Sequence, residues 1–405
     1  MKLLFVNPPS PYLENDAAYP PMGLLYLAAS AIEEGHSCKI CDLSGGGKLS
    51  EFINDTNYDI AFVTCVTPNV NQVREIIFSL FASRACNKIV VGGPHVTFMP
   101  IDSLREFGVS IVVGEGDLII KKIISDYSQT GKIDQIYYGG NVQISDIPPP
   151  ARHLINLKKY CGGLTTTIYT SRGCPYHCKF CSKITNNTYR KFPIDRVISE
   201  IEYCQTQGIN SFIFGDDNII INADHVKELL TRVADLDITF RLNQDARHID
   251  KSIFELAANS GCTDISFGIE SGNQSMLDHM NKMTTVELNK EAISTAKGCG
   301  ISTKAYFLVN FPGETLETIS DTIKFAECAL PDKWLLSNFS PLPGCDVFNR
   351  PWDYGVNWIS TDWSNYYLVG KGGGFKPSFT TNHLTGLTQL KQHNLLFKSL
   401  KEVLG

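Results

Sequence analysis

The feature that most constrains this fold is a repeated alternation of short apolar runs with amphipathic stretches. Each such pair lays a buried strand beside the next and covers the sheet with a helix. From Thr165 onward the pattern predicts strands at 165–171, 211–215, 238–243, 264–269, 302–309 and 334–340. Helices are predicted at 194–207, 223–235, 251–259, 286–298 and 315–329, and Gly208, Gly261, Gly298 and Gly300 lie just beyond periodic segments, as helix C-termini favour. Six βα repeats are too few to close an eight-stranded barrel. They predict a partial (β/α)6 TIM-type barrel with its site at the carboxyl ends of the strands. Those ends carry Ser171-Arg172-Gly173-Cys174, Gly215-Asp216-Asp217-Asn218, Asn243-Gln244-Asp245, Gly268-Ile269-Glu270-Ser271-Gly272, Asn310-Phe311-Pro312-Gly313-Glu314 and Ser340-Pro341-Leu342-Pro343-Gly344. Turns explain one or two such clusters. Six in phase predict a shared cavity at one rim.

Residues 1–150 show the same rhythm. Strands are expected at Lys2–Asn7, Ser37–Asp42, Ile60–Thr64, Lys88–Gly92 and Val109–Val113, with helices at Gly23–Glu34 and Val70–Ala82. This predicts a Rossmann-like, doubly wound parallel sheet that binds ligands at its strand ends. The ends read Asn7-Pro8-Pro9, Thr64 to Asn69, Gly92-Gly93-Pro94-His95 and Gly114-Glu115-Gly116-Asp117, where backbone can approach a bulky ligand closely. The proline run 148–150 reads as a stiff linker. The expected organisation is a first domain at 1–146, a linker at 147–164, the partial barrel at 165–345 and a small cap at 346–405. All four tryptophans lie between Trp334 and Trp363, with Tyr354, Tyr366, Tyr367, Gly372–Gly374 and Phe375 around or after them. They are expected to pack the cap; the alternative is an aromatic lid over a substrate.

The chain has 405 residues, 43% apolar and 19% charged, with a formal net charge of -6. That balance offers no large basic field, so no nucleic-acid partner is expected. No apolar run is long enough to span a membrane. The start lacks the features of a signal peptide, the end carries no lipidation signal, and 13 cysteines then imply reduced thiols and a cytoplasmic location. Cys65, Cys204, Cys262 and Cys328 read as small buried hydrophobes, and the Cys38/Cys41 pair as part of a strand.

The segment Cys174-Pro-Tyr-His-Cys178-Lys-Phe-Cys181 stands apart. Three thiolates can hold three irons of a four-iron cluster and leave the fourth open to react, whereas a purely structural cluster takes four cysteines. The other reading of the same residues adds His177 and makes a Cys3His zinc site.

With its preceding strand, this Cys-x3-Cys-x2-Cys run resembles the signature of the radical SAM enzymes. The resemblance implies a 4Fe-4S cluster on Cys174, Cys178 and Cys181 whose open iron chelates S-adenosylmethionine. It places Phe180 against the adenine. Gly215, Asp216 and Asp217 fall at the second-strand position that contacts the methionine amino group. Asn243, Glu270 and Ser271 fall in the SAM-binding set, with Glu270 accepting from ribose hydroxyls. Asn310 also joins that set, standing where glycine is usual in the fifth-strand motif. The run Tyr19 to Ala28, with Gly92–Thr97 and Gly114–Asp117, resembles the cobalamin-binding domain of B12-dependent members. That implies cobalamin contacts from Pro8, Met22, Gly23, Leu24, Thr64, Thr67, Pro68, Asn69, Gly92, Gly93, Pro94, His95, Gly114, Glu115 and Gly116. The usual Asp-x-His-x-x-Gly motif is missing, so the expected cobalt lacks a histidine below, and Thr67 or Asn69 faces its lower side.

The resemblance implies a methyltransferase at an unactivated carbon, using a 5′-deoxyadenosyl radical and methylcobalamin. The alternatives are a radical cyclisation, rearrangement or oxidation without methyl transfer, or a zinc-stabilised, non-catalytic Rossmann-type binding protein. Asp245, Phe311 and Trp334 are candidate contacts to a small-molecule or peptide substrate. The electron comes from an external donor such as flavodoxin or ferredoxin.

Overall fold

The computed structural model describes the chain except residues 11–14, 45, 55–56, 141, 186 and 367–375. The expectations resting on Tyr367, Gly372–Gly374 and Phe375 therefore lie outside the described residues. Contacts divide the chain into two compact units, Met1–Thr166 with Lys183–Asn186, and Thr167–Ser182 with Asn187–Gly405.

The first unit is built on β1 (Lys2–Asn7), β2 (Ser37–Asp42), β3 (Tyr58–Thr64), β4 (Cys86–Gly92), β5 (Ser110–Val113) and β6 (Ile136–Tyr138). They form one sheet in the order β2-β1-β3-β4-β5-β6, paired in parallel throughout. Leu3–Val6 are fully buried, as strands covered on both faces must be. Strand order reverses between β1 and β3, so the crevice for a ligand opens at their carboxyl ends. The edge strand β6 and the helix Ile119–Thr130 are additions to the expected set.

The segment 147–164, expected as a linker, packs with this unit. Ala151 N–H donates to Leu25 O at 3.0 Å and Cys161 N–H to Ala17 O at 3.1 Å. The Tyr160 hydroxyl donates to Asp42 at 2.5 Å. Cys38 and Cys41 are buried, and burial pushes both thiols up to about 12. Cys328, expected in the same class, is exposed, because its helix turns that position outward.

Gly93 adopts φ 110°, and a Cβ there would lie 2.7 Å from Cys65 O. Gly92 beside it has its nearest neighbour at 3.6 Å. Gly93→Ala is expected to cost about 3 kcal/mol, from a left-handed backbone meeting another backbone. Gly92→Ala is expected to cost well under half of that. Urea unfolding of the two variants checks the contrast, and equal losses would sink it.

The second unit starts at Thr167, within β7 (Thr165–Ile168), followed by a short antiparallel pair, β8 (Ser171–Arg172) with β9 (Arg190–Lys191). Its main sheet adds β10 (Ser211–Phe214), β11 (Thr239–Gln244), β12 (Cys262–Glu270), β13 (Ser302–Val309) and β14 (Lys333–Asn338). The order β14-β13-β12-β11-β10-β7 is that of an open partial barrel, as expected. The intervening helices Ala223–Val233, Lys251–Asn259, Val286–Gly298 and Leu316–Ala329 begin at Asn222, Asp250, Thr285 and Thr315. Each cap side chain accepts a first-turn N–H, satisfying an otherwise orphan donor.

Beyond the sheet, β15 (Val356–Ile359) pairs antiparallel with β16 (Phe379–Thr381). The final helix Gly386–Leu404 packs on the helix Leu316–Ala329 and on β14. Phe311, Phe339, Tyr354 and Phe379 share one buried cluster with Met276, Met280 and Cys345. These aromatics pack a cap onto the sheet, while Trp352 is 79% exposed.

Candidate active site

The thiol loop leaves β8 through Gly173, whose φ of 86° turns the chain into Cys174. Asp216, at the end of β10, holds the base of that loop. Its carboxylate accepts from Thr170 N–H at 3.2 Å and the Thr170 hydroxyl at 2.9 Å, and also from the Ser171 hydroxyl. Burial pushes the Asp216 carboxyl up to about 6 against those donors. Gly215 is required beside it, since a Cβ would lie 2.7 Å from Thr167 Cγ2. Asp217, next in the chain, is exposed, and Asn243 lies on β11 opposite Ser266.

The loop is then clamped by two later segments. After the helix Gln274–His279, Met280 O accepts from Lys179 N–H at 2.9 Å, and Asn281 Nδ2 donates to His177 O at 2.8 Å. After β14, Pro343 O accepts from the Ser182 hydroxyl at 2.6 Å, and Asp346 N–H donates to Lys179 O at 3.1 Å. Phe180 packs on the aromatic cluster of the cap. Cys174, Cys178 and Cys181 are half-buried thiols outside any disulfide, while His177 is exposed.

Among the described residues, no three His, Cys, Asp or Glu side chains are gathered around a single metal position. The Cys3His reading needs His177 turned in among the thiols, and it is turned out. Three soft thiols on one clamped loop, each able to take a different iron, fit a four-iron cluster.

Four charges lie beside the loop. Arg247 makes a bidentate pair with Asp245, from Nε at 2.7 Å and from Nη2 at 2.8 Å. Lys282 Nζ lies 3.0 Å from Asp245 and 3.4 Å from Glu270. The Arg247 guanidinium covers the Tyr176 ring at 3.3 Å, and the Tyr176 hydroxyl meets His248 Nε2. Burial raises the Cys178 thiol, and Lys282 and Arg247 oppose that rise. Burial likewise disfavours the Asp245 carboxylate, but Lys282 and Arg247 outweigh it and hold the group down to about 2. Burial leaves Glu270 above the usual carboxylate range despite Lys282.

The backbone of β12 makes room for this group. Its register shifts between Gly268 and Glu270, and Glu270 takes φ 65°, a strained conformation for a residue other than glycine. A Cβ at Gly268 would sit 2.7 Å from Glu270 Oε1 and 2.9 Å from Lys282 Nζ. Ser271 turns away from the ion pairs, its hydroxyl 3.3 Å from Thr322 Oγ1. Gly272 is dictated by packing, since a Cβ there would lie 2.5 Å from Phe325 Cβ.

At the fifth strand, Asn310 has φ 68°. Asparagine tolerates this left-handed conformation almost as glycine does, which accounts for its place in the motif. Its amide donates to Asn338 Oδ1 at 3.0 Å and to Gln389 O at 3.2 Å, tying the strand ends to the final helix. Two expected substrate contacts serve packing. Phe311 is fully buried in the cap cluster, and the Trp334 ring meets Phe397 at 5.4 Å. Lys282, Arg247, Tyr176, His248 and Asn281 were not among the expected site residues. The Asp245-x-Arg247 spacing was a visible signal; nothing in the Met280–Met283 turn marks Lys282 as buried.

In the first unit, the expected rim residues gather at the ends of β1, β3, β4 and β5. Asn69 Oδ1 accepts from Val66 N–H at 2.9 Å, and Thr67 Oγ1 lies 3.2 Å from His95 Nδ1, with Pro68 between them. Burial lowers His95 to about 4, so it is a neutral, inward member of the rim. Pro8, Met22 and Leu24 are buried, Thr64, Gly92 and Gly116 are half-buried, and Pro94 is exposed. Glu115 accepts from Val142 N–H at 3.2 Å. Gly114 needs its freedom, with φ 88° and Gly139 O 2.4 Å from a Cβ position. Gly23 is exposed, with nothing within 4 Å of a Cβ. That open, uncharged backbone fits a large ligand laid across the strand ends.

The B12-binding domain family matches residues 16–124, and the radical SAM superfamily matches residues 168–326. The chain thus carries a radical SAM domain with a B12-binding domain ahead of it. The chain is 28% identical to an uncharacterized methyltransferase of Pyrococcus horikoshii, over 91% of this chain and 87% of that one. It is 29% identical to the anaerobic magnesium-protoporphyrin IX monomethyl ester cyclase of Rubrivivax gelatinosus, over 86% and 70%. Its fold resembles that of the radical S-adenosylmethionine methyltransferase TsrM from Kitasatospora setae, solved with cobalamin and a [4Fe-4S] cluster. That match has a TM-score of 0.76 at 17% identity and covers 100% of this chain and 89% of that one. Among the described residues, no helix is long and apolar enough to cross a membrane.

Proposed function

We propose that this chain is a cobalamin-dependent radical SAM methyltransferase that acts at an unactivated carbon. The observation that carries the reading is the clamped loop of Cys174, Cys178 and Cys181 at the carboxyl ends of a radical SAM sheet, in a chain that also holds a B12-binding rim. When bound, the cluster with S-adenosylmethionine supplies a radical able to take hydrogen from carbon, and cobalamin supplies the methyl group.

The chain's own residues bind and orient. The three cysteines hold three irons. Asp216 keeps the base of their loop in place through Thr170 and Ser171, so its part is indirect. Glu270 is the acceptor for ribose hydroxyls, and Asn243 lines the same strand ends. Phe180 closes the adenine side with the cap behind it. Asn310 anchors the fifth-strand turn to Asn338 and the final helix. In the first unit Gly23, Gly92 and Gly93 would let a corrin approach backbone, Thr67 and Asn69 would face it, and His95 stays a buried, neutral member of the rim beside Thr67. An external one-electron donor of the flavodoxin or ferredoxin class completes the system. The substrate is a small molecule or peptide.

A second reading, radical cyclisation or oxidation without methyl transfer, is favoured by the likeness to the anaerobic cyclase. The test gives the anaerobic holoprotein a titanium(III) reductant and S-adenosylmethionine labelled in its methyl group. Methyl transfer is expected to yield 5′-deoxyadenosine and S-adenosylhomocysteine together, with label in the corrinoid fraction. Deoxyadenosine without S-adenosylhomocysteine would favour the second reading. Neither product, from protein loaded with both cofactors, would overturn the proposal.

A further inference from the structure

The buried ion group beside Cys178 is larger than holding a cofactor's hydroxyls requires. It contains two cations, Lys282 and Arg247, and two carboxylates, Asp245 and Glu270, so its formal charge is balanced. Lys282 is only 6% exposed and bridges both carboxylates, at 3.0 and 3.4 Å. It reaches them from the turn that grips the thiol loop, where Met280 O takes Lys179 N–H and Asn281 takes His177 O. Three consecutive residues of one turn thus serve the loop, two by hydrogen bonds and one by charge. Gly268 is kept free of a side chain where a Cβ would lie 2.9 Å from Lys282 Nζ. The backbone at Glu270 is held at φ 65° to present the carboxylate. A buried ammonium bridging two carboxylates costs desolvation, and neither the hydrogen bonding of the loop nor the sheet needs it.

We infer that Lys282 is a positioning residue that sets the electron affinity of the cluster on the thiol loop. Reduction adds one negative charge to a buried group. In a medium that screens poorly, a neighbouring charge changes the ease of that step. Lys282 cancels one of the two carboxylates next to Cys178, so one electron from a low-potential donor enters a neutral surrounding rather than a negative one. The inference rests on the reading of Cys174, Cys178 and Cys181 as cluster ligands.

The test is a redox titration of the anaerobically reconstituted full chain, with dithionite as electron source and the reduced cluster counted by electron paramagnetic resonance. Iron and sulfide per chain are measured first. Lys282→Met leaves one carboxylate unbalanced and is expected to lower the reduced-to-oxidised ratio about tenfold at a fixed potential. Lys282→Arg, which keeps the charge, should match the wild type. Glu270→Gln in the Lys282→Met background restores balance and should recover most of the loss. Glu270→Gln alone removes a negative charge and should shift the ratio the other way, which keeps the inference exposed even where Lys282→Met fails to load. A Lys282→Met protein with full iron and an unchanged ratio would overturn it, as would an unshifted Glu270→Gln. A wild type that takes up no iron–sulfur cluster would instead overturn the reading of the cysteines.

Discussion

Replacing Cys178 with alanine is expected to abolish cluster assembly and S-adenosylmethionine cleavage while cobalamin binding persists. The middle cysteine is the most constrained of the three, because its two neighbours His177 and Lys179 are both hydrogen-bonded to the 280–281 turn. The loop therefore cannot slide another donor into the gap. Loss of a direct ligand should exceed the tenfold to hundredfold effect of losing an outer-shell partner, so cleavage should fall by more than about a hundredfold. The B12-binding rim is made by residues of the first unit alone, within Met1–Thr166, so corrinoid affinity should change by less than about twofold. Iron and sulfide analysis, the yield of 5′-deoxyadenosine and equilibrium binding of hydroxocobalamin are the measurements. Wild-type cleavage in the variant would remove the cysteines from their role. Lost corrinoid binding would mean that the two sites are coupled.

Glu314→Gln is expected to flatten the pH dependence of stability of the cofactor-free protein. Glu314 is 4% exposed, and its carboxyl accepts from Asn310 N–H. Burial pushes it up to about 8 from 4.5, and the Asn310 N–H only partly opposes this. A raised carboxyl binds its proton more tightly when folded than when unfolded. Its stabilising contribution is thus fully present below about 4.5 and is lost as the pH rises through about 8. The loss amounts to a few kcal/mol. Glutamine keeps an acceptor for Asn310 and has no proton to lose. Urea unfolding of both proteins at several pH values across that window should show the wild type weakening relative to the variant. Parallel curves would refute the assignment. Asp245 behaves oppositely, since its carboxyl is held down to about 2. Its stabilisation is present above 3.8 and lost as the pH falls through about 2.

Much of the fold was legible because burial on both faces of a parallel strand leaves a continuous apolar run. β13 was predicted at 302–309, where it is found, and the helix Val286–Gly298 likewise. The shorter pieces were not legible. The helix Gln274–His279 has less than two turns, too few for a period to show. The final helix Gly386–Leu404 buries Gln389 and Gln392 on its inner face, so its apolar stripe is broken by amides bonded to Phe379 O and Glu314 O. The segment 147–164 looked like a linker from its prolines, yet its hydrogen bonds return to Ala17, Leu25 and Asp42.

The sequence alone determined which thiols are candidate ligands, because chelation of a cluster needs thiols at close, fixed spacing, and that spacing is written in consecutive residues from Cys174 to Cys181. It also determined the two βα sheets and the rims on which ligands lie, through hydrophobic periodicity and glycine-rich strand ends. Only the tertiary structure decided the charge around the thiols. Lys282 stands more than 100 residues from Cys178 in the chain, and its ammonium arrives there by a turn of the backbone. Electrostatic interaction depends on distance and burial, and neither can be read from the order of residues. The same is true of Asp216, whose place in the motif suggests a ligand contact, while its donors, the Thr170 N–H and hydroxyl and the Ser171 hydroxyl, come from a segment more than 40 residues earlier in the chain.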